Sequence, residues 1–97
     1  MPFKLQEEVE YKFITPKLYK VILLNDDFTT FDFVIMILKE VFYKTEEEAI
    51  NLTIKVDREG EAVVGIYPYD IALMKVDKTH KLAKERGFPL RAKIEEE

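Results

Sequence analysis

No cysteine and no serine occur in the chain, and histidine occurs once, at position 80. Each absence removes a class of function. Without thiols there is no disulfide, no thiolate zinc centre and no cysteine nucleophile. Without a serine hydroxyl a Ser-His-Asp triad cannot be assembled. Histidine acid–base chemistry then rests on His80, which lies between Thr79 and Lys81 and reads as a solvated surface residue. Long apolar runs are also missing: the longest, Phe33 to Leu38, is far shorter than the roughly 20 residues that span a bilayer. The opening MPFKLQEEVEYKF has acids where a secretory signal would carry its apolar stretch, so a cytoplasmic location away from membranes is expected. Nor is there a surplus of positive charge. Lys and Arg number 15 against 19 Asp and Glu, a net charge of −4, which argues against a nucleic-acid partner.

What remains suits one compact domain. Ninety-seven residues, 47% of them hydrophobic and 35% charged, allow a single core that needs no metal or disulfide to fold. Residues 1–16 are mixed and charged, show no clean period and stop at TPK, as a flexible N-terminal arm would. Residues 17–97 then form the core domain. LYKVILL, 18–24, is a short buried strand, and FDFVIMILKEVF is a largely buried helix capped by Thr29 or Thr30, Thr29 having capping-box spacing to Asp32.

A second helix starts at Thr45, whose spacing to Glu48 is that of a capping box, and it places Ala49, Leu52 and Val56 on one face. Gly60 ends it, AVVGIY reads as a strand, and Pro68 precedes a third helix with Ala72, Val76, Thr79 and Ala83 on one face. Gly87 and Pro89 stop that helix, and LRAKIE alternates Leu90, Ala92 and Ile94 inward against Arg91 and Lys93 outward. The fold class is therefore α/β of the α+β kind: a small three-stranded sheet with three helices packed on one face, in the order β-α-α-β-α-β.

The junction VILLNDDFTTFDFV carries the functional question. Asn25, Asp26 and Asp27 between strand and helix suit a metal, a phosphoryl-transfer site or a cationic ligand. An EF-hand loop is excluded, because Asp26, Asp27 and Asp32 lack its spacing and its glycine. A magnesium-binding phosphoacceptor receiver is the alternative function, with Asp70 after VVGIYPY in place of the acceptor. A receiver, however, continues beyond its acceptor for more strands and helices than this chain has room for, and its helices alternate with its strands.

YKVILLNDDFTTFDFV, GEAVVGIYPYDIALMKV and AKERGFPL, in unbroken order over residues 17 to 94, resemble the bacterial ClpS adaptors. The resemblance implies a non-enzymatic, cofactor-free protein without a metal. Such an adaptor binds N-degron substrates by a bulky first residue, Leu, Phe, Tyr or Trp, and hands them to the N-domain of a ClpA- or ClpC-type AAA+ unfoldase. Carried over by position, it gives Asn25, Asp26 and Asp57 to the substrate's α-amine, Asp27 and Thr29 to the loop and pocket rim, and Phe31, Thr53, Val56 and Leu90 to the apolar pocket. It gives Asp70 and Lys75 to unfoldase docking and implies a monomer.

The match has departures. Thr30 and Phe31 stand where the family usually has Pro and Met, Thr53 where Met is common, and Asp57 where an amine-binding histidine is usual. The other cations of the third helix, Lys78, Lys81, Lys84 and Arg86, read as a solvated face.

Overall fold

The computed structural model describes residues 17–97; the expected arm over residues 1–16 lies outside them. Strand β1 (Leu18–Leu24) occupies the centre of a sheet of order β2-β1-β3, with β2 (Glu61–Pro68) and β3 (Arg91–Glu96) both antiparallel to it. Helices α1 (Phe31–Glu40) and α2 (Glu46–Glu59) connect β1 to β2, and α3 (Tyr69–Arg86) connects β2 to β3. The architecture is the expected one. Antiparallel pairing throughout also removes the receiver alternative, whose doubly wound sheet is parallel.

The central place falls to the strand that is apolar on both faces. Val21 and Leu23 are fully buried under the helices, in one cluster with Ala62 and Val64 of β2, Ala92 of β3, and Phe33, Ile37 and Leu38 of α1. Ile22 points the other way and is nevertheless 3% exposed. Its cross-strand neighbours are Val63 and Lys93, and the Lys93 ammonium reaches over β1 to Glu61 at 3.3 Å. The methylene stem of Lys93 thereby shields Ile22 on a face that no helix covers.

Strand β2 contains a bulge. Val21 pairs with Gly65 and Ile22 with Val63, so Val64 is the extra residue. Ala62 and Val64 face the core before it, and Gly65 shares the side of Val21 after it. A side chain at 65 would strike the Tyr67 ring, which lies over this glycine. A Cβ there requires the Tyr67 ring to shift.

The helix ends obey local chemistry, with one correction. Thr45 and Glu48 form the reciprocal capping box, and Gly60 and Gly87 stop α2 and α3 in the left-handed region at φ 88° and 77°. At α1, however, the cap is Thr30, whose hydroxyl accepts from the Phe33 amide at 3.2 Å. The Thr29–Asp32 capping box is absent because the Thr29 hydroxyl is engaged with Asp26. On α2 the buried stripe is Ala49, Thr53 and Val56, and Leu52 is only half-buried, so the face is turned slightly from the expected one.

Candidate functional site

The loop between β1 and α1 is braced from within. Oδ1 of Asp26 accepts from the amides of Phe28 (2.8 Å) and Thr29 (2.7 Å), while Oδ2 accepts from the Thr29 hydroxyl at 2.7 Å. Burial raises the pKa of this carboxyl, but the three donors together outweigh it and hold Asp26 below its ordinary range. The charge is thus locked in place. A second tie comes from the amide of Asn25, which donates to the carbonyl of Gly60 at 2.9 Å. Asn25 is thereby fixed beside the C-terminal end of α2.

That end of α2 forms the opposite wall of a small cavity. About 260 Å³ is enclosed by Asn25, Asp26, Asp27 and Thr29 of the loop, Phe31 of α1, Thr53, Val56 and Asp57 of α2, and Leu90 before β3. All the residues expected at the amine site, the rim and the apolar pocket therefore meet in one place. Leu24 and Val34 line it as well. Neither was expected, although Val34 lies one helical turn from Phe31 and that spacing could have identified it.

Most of the cavity's accessible wall is polar, and apolar side chains supply the smaller part. Val56 and Leu90 are buried, and Thr53, 3% exposed, turns its hydroxyl onto the Ala49 carbonyl at 2.7 Å. What Thr53 leaves for the cavity is its methyl group. Phe31, 48% exposed, stands at the rim. The charged groups lining the cavity are all carboxylates, Asp26, Asp27 and Asp57. Asp57 sits in the last turn of α2, where the unpaired carbonyls already make the helix end negative, so its charge opposes the macrodipole. An arrangement that is unfavourable for the empty protein becomes favourable when a cation arrives. Among the described residues no group of three or more acids or histidines is placed to hold a metal.

The residues expected to dock a partner lie elsewhere. Asp70 is exposed in the first turn of α3. Lys75 is half-buried, and its ammonium donates to the Val41 carbonyl at 2.7 Å. It also lies 4.6 Å from the ring centre of Tyr43 and 5.1 Å from that of Tyr67. Desolvation, helped by the charge of Lys78, lowers its pKa. Tyr43 is the one non-glycine residue with positive φ among the described residues, at 54°, and the lysine over its ring helps hold that backbone.

His80 is a correction. It is not merely solvated: its Nε2 accepts from the Ala92 amide at 3.0 Å, covering a donor on the outer edge of β3. Burial and the neighbouring Arg91 push its pKa down, against the pull of Asp77.

Fold and site together define a small α+β domain, its helices on one side of an antiparallel sheet, with a cavity rimmed by three carboxylates. The family model described as "ATP-dependent Clp protease adaptor protein ClpS" matches residues 14–93, and the chain belongs to that family of adaptors. It is 66% identical to the ATP-dependent Clp protease adapter protein ClpS of Nautilia profundicola over 99% of each chain. To the protein of that name from Acetivibrio thermocellus it is 51% identical, over 95% of this chain and 93% of that one. The solved structure of Agrobacterium tumefaciens ClpS2 bound to L-phenylalaninamide superposes with a TM-score of 0.83 at 44% identity, covering 86% of this chain and all of that one.

Proposed function

We propose that this protein binds substrates through a bulky apolar N-terminal residue, Leu, Phe, Tyr or Trp, and delivers them to a ClpA- or ClpC-type AAA+ unfoldase. It does so in the cytoplasm, as a monomer, without catalysis or cofactor. The observation that carries this reading is the cavity in which Asn25, Asp26, Asp27 and Asp57 meet the apolar side chains of Val34, Val56 and Leu90. A free α-amine, with a pKa of about 7.7 to 8.0, is mostly an ammonium near neutrality, and nothing inside a folded chain presents one beside a side chain. Charge-assisted hydrogen bonds to it are roughly twice as strong as neutral ones.

Asn25 and Asp57 take the ammonium directly from opposite walls, while Asp26 adds its charge and holds the loop. Val56, Leu90 and the Thr53 methyl receive the side chain, with burial of a Leu or Phe contributing roughly 1.5 to 3 kcal/mol. The phenylalaninamide in the Agrobacterium relative supports this, since it offers an α-amine and a benzyl group with its carboxyl masked, as an N-terminal Phe does. At the rim, Phe31 keeps out β-branched first residues. For delivery, exposed Asp70 contacts the unfoldase, and Lys75 contributes by holding the end of α1 and Tyr43.

Fluorescence anisotropy with peptides differing only in the first residue tests the reading. Leu and Phe should bind, Val weakly, and acetyl-Leu not at all. Asn25→Ala should weaken Leu binding by about 1.5 to 3 kcal/mol, the range for a hydrogen bond to a charged group. Equal binding of Leu and acetyl-Leu peptides would remove the amine from the account.

A further inference from the structure

Beside the acidic cavity lies a second cleft of opposite charge. It encloses about 690 Å³ between Phe28, the C-terminal turn of α3 at His80, Lys84 and Gly87, and the segment Phe88 to Arg91. Leu90 lines both cavities, and Phe28 belongs to the loop whose acids rim the first. The two are therefore neighbours across one residue and one turn. The interior of the second is apolar, from Phe28, Phe88, Pro89 and Leu90, and no carboxylate lines it among the described residues.

Two features distinguish this cleft from an ordinary solvated face. Phe28 is 76% exposed, yet its amide is held by Asp26, so an aromatic ring is presented to water from a braced turn rather than a loose one. The cations Lys84 and Arg91 also lack a carboxylate partner among the described residues, whereas Lys39 and Lys93 have one. His80 is excluded as a cation by its acceptor role toward Ala92, which requires a neutral ring.

We propose that this cleft receives the residues that follow the substrate's first residue, and that Lys84 and Arg91 there select an acidic side chain. The inference rests on the proposed seating of the N-terminus in the first cavity. An extended chain advances at most about 3.3 to 3.6 Å per residue, so positions 2 to 4 lie roughly 3 to 11 Å from the anchored residue. A substrate beginning with a bulky apolar residue and carrying Asp or Glu soon after matches both charges in turn: ammonium to the acidic mouth, carboxylate to Lys84 and Arg91. The apolar interior takes the intervening side chain against Phe28.

The test is a peptide series with Leu first and Asp, Asn or Lys placed singly at positions 2, 3 and 4, measured by anisotropy at low and high salt. At one or more positions Asp should bind about two- to fivefold tighter than Asn, the factor expected for an exposed pair, with Lys weaker than Asn. Raising salt should compress the difference. Lys84→Glu with Arg91→Glu should reverse the order, so that the Lys peptides bind tighter than the Asn peptides and the Asp peptides weaker. Leu peptides that bind well without discriminating Asp from Lys, or a preference surviving the double charge reversal, would overturn this inference and leave the cleft to another occupant. Failure of every Leu peptide to bind better than its acetylated form would overturn the seating of the N-terminus, and this inference with it.

Discussion

Replacing Lys75 with methionine should destabilise the domain strongly while leaving peptide binding unchanged. The Nζ of Lys75 donates to the Val41 carbonyl at 2.7 Å, and Val41 is the buried C-cap of α1. Methionine keeps most of the stem but removes the donor. Loss of a hydrogen bond from a charged group costs about 1.5 to 3 kcal/mol. A cation at a helix C-terminus contributes about 0.3 to 1 kcal/mol more. Contact with the Tyr43 and Tyr67 rings, at 4.6 and 5.1 Å, adds a cation–π part of about 0.5 to 1 kcal/mol.

These share one ammonium and do not add in full, and the thioether regains some packing. A net loss of about 2 kcal/mol is the reasoned figure, worth roughly 8 to 16 °C in Tm for a domain of this size. Urea titration should show a lower midpoint with an unchanged slope. Because Lys75 does not line the acidic cavity, Leu-peptide affinity in the folded variant should equal the parent's. A variant within about 0.5 kcal/mol of the parent would refute the reasoning. Lys75 would then be a free surface cation, available in full to a partner.

Asp57→His should create a pH dependence that the parent lacks: imidazole accepts from an ammonium only when neutral, so peptide affinity of the variant should fall below roughly pH 6.5. A variant profile matching the parent's from pH 7.5 to 5 would take position 57 away from the amine. Gly65→Ala should destabilise the fold by about 1 to 3 kcal/mol, read as a lower urea midpoint, because the new methyl strikes the Tyr67 ring; an unchanged midpoint would mean that the ring moves aside freely. His80→Gln should make the fold less sensitive to acid. The folded pKa of His80 is depressed, so its stabilising contribution is complete above the unfolded value of roughly 6.5 and is lost as pH falls through the folded one. Between pH 7 and 5 the parent should therefore lose more Tm than the glutamine variant; equal losses would show that the Ala92 contact does not depend on a neutral ring.

Much of the fold was legible because it is set within a few residues. The Thr45–Glu48 box, the stops at Gly60 and Gly87, and the buried stripe Ala72, Val76, Thr79 and Ala83 depend on helical period and on caps, which span one turn. The strand over 18–24 followed from its short length and its β-branched and aromatic residues. The loop acids are local too, but an amide and two carboxylates between a strand and a helix more often serve as turn and cap than as a site. Which use could not be read from the loop, because the residues that complete the cavity come from α2 and from the start of β3.

What only the tertiary structure decided has a common cause. The contact of Lys75 with Val41 spans 34 residues and that of His80 with Ala92 spans 12, so no periodic pattern encodes either, and both side chains read as solvated or docking groups until the elements were packed. The bulge at Val64 reflects pairing with β1, not any feature of AVVGIY by itself. Thr29 could have capped α1 on spacing alone. It lost that place to Thr30 because the Asp26 carboxylate, held at the end of β1, took its hydroxyl first. Local propensity offered two equivalent caps, and the position of one charged neighbour in space chose between them.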